Sequence, residues 1–461
     1  PRQPLDLPDM AVGRLPVRSV AEATAFVRRV RDYDLSPVPG PWRNRVVLAA
    51  DDVWKSGNPH ESVHTDQAEN LVDNYLSPTL EVDKVYLVNY GDQQEPSGYQ
   101  PAARADARQA WNDGLTVFHY IGHGSENVLA DEQLFLIDDV AGLSNGARRG
   151  VFLAFSCDVG VFDSYMSQSM AELFVTHPAG GAIAAITAAQ VSWIYSNDQL
   201  AQSFYAHLYP GRQVDPAVSL GRALLEAKQT MSYGELANSQ RYALLGDPGL
   251  ALPQPASTLS FAPDSADTLR GGARETVTVS LAGAGLAPGS EVTYDLRVEE
   301  CRRDRNLLIV QERPPWDPVV LVDLDWWLAG ATAYRGVGTV TDDPLRVSFK
   351  VPQQLAYGPR GRVRVMIETP DGAWSAARTV PVVVAATGPE SDVAGPSVDL
   401  AFADRRFRVP PGAPLTAAIA DTSGVNILGT RPANSILFEL DGSGFQSDVS
   451  RDFVFDSGSY T

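Results

Sequence analysis

The feature that most constrains this chain is a series of five strand-like apolar runs with helical stretches between them. The runs are 46–50 (VVLAA), 84–89 (KVYLVN), 115–121 (LTVFHYI), 151–156 (VFLAFS) and 182–188 (AIAAITA). Short runs without polar alternation fit strands covered on both faces. Helical periodicity occupies 66–76, 102–113 and 167–176, and continues at 197–208 and 216–231. Strand–helix alternation from Arg45 to about Pro253 predicts an α/β fold with a doubly wound, mostly parallel sheet. In such sheets chemistry gathers at the carboxyl ends of the strands.

The flanks read differently. Residues 11–17 (AVGRLPV) suggest a short strand, and Ser19-Val20-Ala21-Glu22 is a capping box. It opens a helix to about Asp34 with Ala23, Phe26, Val27 and Val30 on one face. This 1–44 segment is expected to pack on a domain spanning 45–255, which Pro253-Gln254-Pro255 closes. Beyond it come short alternating runs at 276–282, 291–298, 306–310, 345–351, 362–368 and 378–385, separated by turn residues. They predict an Ig-like antiparallel β-sandwich over 256–386. A Gly/Pro-containing break at 387–396 precedes a partial β-rich region, 397–461. The opening Pro1-Arg2-Gln3 and the stop at Thr461 read as a piece of a longer protein. No run of about 18 apolar residues suggests a membrane helix.

Charge narrows the partners. There are 37 Lys and Arg against 56 Asp and Glu, a net charge of −19 that repels phosphate backbones and argues against nucleic acid. The two cysteines, Cys157 and Cys301, fall in different predicted domains, so no disulfide framework is readable. Cys301 reads as a structural thiol in the sandwich.

Two strand ends carry chemistry. The third run leads into His119-Tyr120-Ile121-Gly122-His123-Gly124-Ser125-Glu126, and the fourth into Ala154-Phe155-Ser156-Cys157-Asp158-Val159-Gly160. A cysteine nucleophile needs a nearby base and N–H donors for the developing oxyanion. His123 can be that base. Gly122 and Gly124 let the backbone approach a substrate closely. The amides of Gly124 and Cys157 are then the candidate oxyanion donors.

At these residues the sequence resembles the gingipain family of cysteine peptidases. Tyr120-Ile121-Gly122-His123-Gly124-Ser125-Glu126 is similar to the family's histidine motif, and the spacing to Cys157 fits. Gln190-Val191-Ser192-Trp193 resembles the segment bearing a pocket-wall tryptophan, and Leu244-Leu245-Gly246-Asp247-Pro248 the end of the catalytic domain. The resemblance implies a caspase-like fold and a Cys157–His123 dyad acting through a thioester. It implies an acid after the first strand that orients the histidine: Asp51, with Asp52 as alternate. It implies that Trp193, Thr65, Asp66 and Glu126 line the substrate pocket. Thr65 stands where arginine-directed members carry an aspartate, which implies loss of Arg preference. Asp66 also fits a helix N-cap.

The tail adds to this. Gly395-Pro396-Ser397-Val398-Asp399-Leu400 and Ile419-Ala420-Asp421-Thr422-Ser423-Gly424-Val425-Asn426 resemble the region after the peptidase domain in sortases of type IX secretion. Such relatives remove carboxy-terminal sorting domains of cargo and transfer the new end to an amine. The resemblance implies an extracytoplasmic protein, secreted or at the outer surface of a bacterium. Its partners would be a protein or peptide substrate, secretion cargo and outer-membrane components. The chemistry requires no cofactor. Gingipains bind calcium, so a structural calcium is compatible, although no EF-hand pattern names its ligands. His60 and His64 with Glu61 and Asp66 have metal-like composition without zinc-site spacing. Asp247-Pro248 reads as a turn. Trp326-Trp327 fits either a core or a surface patch. The alternative of another class is a non-catalytic surface or adhesion module.

Overall fold

The structure is a computed structural model that describes residues 7–456 apart from 54–60, 94–97, 165–166, 257–258, 264–266, 282–285, 287–288, 314–316, 354, 387–394, 403–412, 422–424, 426, 429–435 and 441–444. The chain forms two compact units: residues 1–257 with 304–328 and 368–377, and residues 258–303 with 329–367 and 378–461.

The first unit is built on six strands: β1 (Arg45–Ala50), β2 (Glu81–Tyr86), β3 (Val117–Ile121), β6 (Val151–Phe155), β7 (Ala184–Ala188) and β8 (Tyr242–Leu245). A small ribbon, β4 (Val128–Leu129) with β5 (Phe135–Leu136), lies between β3 and β6 in sequence. The sheet order is β2-β1-β3-β6-β7-β8. Four pairings are parallel, and β8 runs antiparallel to β7. The reversal of strand order around β1 and β3 is the switch point that the α/β pattern predicts. Val46, Val47, Leu48, Ala49 and Ala50 are all fully buried, so both faces of β1 are covered and its side chains need not alternate.

Among the described residues, seven α-helices accompany the sheet: α1 (Val20–Leu35), α2 (Val63–Asn74), α3 (Pro101–Asp113), α4 (Met170–Thr176), α5 (Ile194–Leu208), α6 (Leu220–Thr230) and α7 (Tyr233–Ser239). Helix α1 starts where Ser19 Oγ accepts the Glu22 N–H at 3.2 Å, while the Glu22 carboxylate takes the Arg18 N–H at 2.8 Å. Phe26 enters the core, but Val27 is 60% exposed and does not share its face. The segment 11–17 contributes a single bridge, Arg14 to Leu245, rather than a strand. Strand β2 begins at Glu81, earlier than its apolar run, because pairing with β1 sets its register and Arg45 binds Asp83 at 2.6 Å.

One segment expected in the sandwich belongs to this unit. Strands β13 (Arg303–Arg313) and β14 (Asp317–Leu328) form a two-stranded ribbon, numbered after β9 (Ser260–Pro263), β10 (Thr268–Arg270), β11 (Arg274–Ser280) and β12 (Val292–Glu299). Val322, Leu324, Trp326 and Trp327 bury in the same core as Val82 and Tyr86. Trp326 Nε1 donates to Asn89 Oδ1 at 2.8 Å, and Lys84 Nζ sits 3.4 Å from the Trp327 ring centre. Trp326-Trp327 is therefore core. Alternation along a strand shows that one face is buried, not which core receives it.

In the second unit, β15 (Thr332–Val340), β16 (Leu345–Lys350), β17 (Gly358–Glu368) and β18 (Ser375–Ala385) complete two sheets, β10-β18-β17-β12-β15 and β16-β11-β9. Buried and part-exposed residues alternate along β11, β12 and β16, as in a sandwich. Tyr334 stacks on Phe349 at 4.8 Å, joining the sheets. The β10–β18 pairing is parallel, an exception to the antiparallel pattern. Further on, β19 (Ser397–Phe402) pairs antiparallel with β20 (Leu415–Ala420), and β21 (Leu437–Leu440) with β22 (Phe445–Asp448). Cys301 Sγ packs where Gly358 leaves no room for a side chain, in keeping with a structural thiol. Among the described residues no helix is long and apolar enough to cross a membrane.

Candidate active site

Parallel register brings three strand tips to one edge. Ala50 lies opposite Ile121, and Ile121 opposite Phe155. Asp51 follows the first of these residues directly, while His123 and Cys157 each lie two residues beyond a paired partner. The histidine and cysteine loops also touch: a side chain at Gly124 would meet Ser156 Oγ at 2.6 Å. Only glycine permits that approach. Among the described residues no acceptor pairs with the Gly124 or Cys157 amide, so both N–H groups remain to meet a substrate oxygen.

The Cys157 sulfur rests on a second loop. Ser192 N–H donates to Sγ at 3.3 Å, Ser192 O lies 3.3 Å away, and Ser192 Oγ lies at 3.8 Å. The carbonyl can accept the thiol proton, and the amide and hydroxyl can stabilise a thiolate. That loop is held by a chain of amides: Asn197 Nδ2 donates to Ser192 Oγ, Asn238 Nδ2 to Asn197 Oδ1, and Trp193 N–H to Asn238 Oδ1, at 2.9, 3.0 and 3.0 Å. Trp193 is 51% exposed, with the Arg241 guanidinium 4.3 Å from its ring centre. Val191 and Tyr195 are exposed beside it. Asp158 takes a left-handed φ of 57°. Burial and the Glu126 charge raise its carboxyl pKa.

The acid on the imidazole is not Asp51. Asp51 Oδ2 accepts the backbone N–H of His123 at 2.8 Å and is approached by Tyr120 Oη at 3.4 Å. The His123 ring reaches Glu61 instead, Nε2 to Oε2 at 2.8 Å. Glu61 stands one residue before Ser62, the N-cap position of α2, and its N–H donates to Val53 O at 3.1 Å. Glu61 and Asp51 thus meet the same residue at the carboxyl edge of the sheet. Adjacency to the strand end points to Asp51, which in the structure meets the backbone of His123, while Glu61 meets its ring. Asp52, the expected alternate, accepts from Gln100 Nε2 at 3.1 Å.

Asp51, Asp52 and Glu132 are buried, with one oxygen of each within 4.8 Å of the others. Burial, then the charges of Asp52 and Asp51, push the Glu132 carboxyl up to about 8. An oxygen-only set of this kind suits a hard cation such as calcium.

The pocket residues separate. Thr65 is 1% exposed and offers substrate no surface. Asp66 points outward from the first turn of α2; it does not cap the helix, whose N-cap position is Ser62. Partial burial, with Asp325, Glu69 and Asp323 around it, raises Asp66 to about 6. Glu126 is half-buried near Asp158, and its carbonyl takes the Met170 N–H at 3.0 Å. Asp247 turns the chain by accepting the Gly249 N–H at 2.8 Å. His60 lies outside the described residues.

The family model described as peptidase family C25 matches residues 3–253. No curated protein matches the chain. Among solved structures, it is similar to the Arg-specific cysteine proteinase gingipain R, at 14% identity and a TM-score of 0.43, over 81% of this chain and 74% of that one. It is also similar to the complex of pro- and mature domains of Porphyromonas gingivalis RgpB, at 14% identity and TM-score 0.43, over 82% and 77%. A third, described as the structure of a protease, has 16% identity and TM-score 0.42, over 81% and 75%.

Proposed function

The chain belongs to peptidase family C25 and is a cysteine endopeptidase, and from that premise we propose that Cys157 is its nucleophile and His123 its general base. The observation that carries this reading is the Glu61–His123 bond. With Nε2–H donated to Glu61, Nδ1 is the nitrogen left to accept a proton. The carboxylate fixes that tautomer and stabilises the imidazolium.

In this mechanism His123 takes the Cys157 thiol proton, and the sulfur attacks the scissile carbonyl. The oxyanion accepts hydrogen bonds from the Gly124 and Cys157 amides. His123 then returns the proton to the leaving amine, and the peptide C–N bond breaks to leave a thioester. Water attacks the thioester as His123 takes its proton. The acyl–sulfur bond breaks, releasing a carboxylic acid and regenerating the thiol. Trp193 and Arg241 form a pocket wall, with Glu126 and Asp158 as the acidic groups near it. No step draws on a cofactor. Structural calcium remains part of this reading, with Asp51, Asp52 and Glu132 as its oxygen ligands.

The test is cleavage of a peptide library by wild type and by Cys157→Ala, with and without iodoacetamide. Wild-type cleavage should vanish in both cases; cleavage that survives the substitution overturns the assignment.

A second reading rests on the tail, 395–400 and 419–426, which resembles the type IX sortases. There an amine replaces water, and the partners are secretion cargo and outer-membrane components at an extracytoplasmic location, secreted or at the outer surface. Mass spectrometry of the product end separates the readings: hydrolysis leaves an acid and transfer leaves an amide.

A further inference from the structure

His64 is 1% exposed, and neither ring nitrogen has a hydrogen-bond partner. Its i+3 neighbour Gln67 is buried beside it, near enough to favour the charged ring but without a well-formed hydrogen bond. An orphaned buried imidazole costs free energy unless something occupies its lone pair.

Its surroundings supply further ligands. Asp51, His64 and His123 each present one ligand atom, all within 4.8 Å of one another. The His64 and His123 rings meet edge to face at 5.3 Å. Both Nε2 atoms converge on one oxygen: Glu61 Oε2 lies 2.8 Å from that of His123 and 3.9 Å from that of His64. Ligand atoms around a tetrahedral zinc are about 3.4 Å apart, so small side-chain movements would close the set. Two imidazoles with carboxylate oxygens suit zinc rather than calcium.

We propose that Asp51, His64 and His123, with Glu61, form an inhibitory site for a divalent transition metal of the zinc class. It rests on the reading of His123 as the general base. A metal on His123 Nε2 replaces the proton there, and Glu61 then meets the metal in place of the ring N–H. The remaining ring proton then sits on Nδ1, which no longer accepts the Cys157 proton. The peptidase is thus off with metal bound and on when it leaves, without oxidation of the thiol.

The binding arm uses Cys157→Ala protein, which removes the thiolate as a ligand, without added calcium, because Asp51 belongs to both clusters. Calorimetric titration with zinc chloride should show a single tight site per chain, and cobalt(II) should give tetrahedral visible bands. Adding His64→Gln should weaken zinc at least a hundredfold and abolish the bands. Equal binding with and without His64, or no site in Cys157→Ala, overturns the proposal even if the peptidase reading fails. The kinetic arm compares wild type with His64→Gln in buffered zinc. The variant should stay active where wild type is inhibited, and inhibition at the same zinc level in both counts against the site. If His64→Gln does not fold, His64→Asn and the cobalt spectrum of Cys157→Ala alone decide.

Discussion

Glu61 holds the ring of His123 at 2.8 Å, while Asp51 holds the backbone of the same residue at the same distance. One acid sets the tautomer and the other sets where the loop sits. Glu61→Gln should therefore lower kcat/KM by about 10²–10⁴ with little change in KM. Asp51→Asn keeps an acceptor for the backbone N–H and should cost less than about tenfold. Steady-state kinetics on a cleaved library peptide check this, and the opposite ranking would restore Asp51 as the orienting acid.

Gly122 packs directly on Asp51. An added Cβ would lie 2.5 Å from the Asp51 Cβ and 2.5 Å from Tyr120 Oη, both deep in the fold. Gly122→Ala should destabilise by about 1–3 kcal/mol and reduce activity together, because relieving the clash moves the histidine loop. Thermal melting and kinetics read both; a variant that melts with wild type contradicts it.

Trp193 is half in solvent, whereas its loop is pinned by Ser192, Asn197 and Asn238. Trp193→Ala should leave stability within about 0.5 kcal/mol and raise KM more than it lowers kcat. Asn197→Leu should do the reverse: it removes the amide chain and costs about 1–3 kcal/mol through unsatisfied buried partners. Equal losses of stability in the two variants would argue against a separate wall and support.

His119 is fully buried between Phe155 and Tyr205, and burial lowers its pKa from 6.5 to about 3. Between those values the unfolded chain binds a proton that the folded chain excludes. Stability therefore rises with pH through this window, and acidification below about 6.5 costs roughly 1.4 kcal/mol per unit. His119→Leu removes this contribution, so the melting temperature of wild type should fall further than that of the variant between pH 7 and pH 5. Parallel pH profiles would refute the assignment.

Much of the catalytic unit was legible because its signals are local. The runs at 46–50 and 151–156 are apolar without alternation, which only a strand buried on both faces requires. Gly122-His123-Gly124 and Ser156-Cys157 follow such strands, and parallel register alone carries both to one edge. The ribbon of β13 and β14 was misplaced because its alternation is the same whichever core it meets. The amide chain behind Trp193 gave no signal, since Asn197 and Asn238 are ordinary polar residues of a helix in one dimension.

The sequence by itself determined the strand–helix order, and with it which residues stand at strand ends: Asp51, His123 and Cys157. Tertiary structure alone decided the pairing among them. Whether Asp51 or Glu61 meets the imidazole depends on the direction of side chains across a loop, which no periodicity encodes. The same holds for His64, the second residue of α2. Composition marks it as metal-like beside His60, Glu61 and Asp66, but only tertiary packing buries it beside His123.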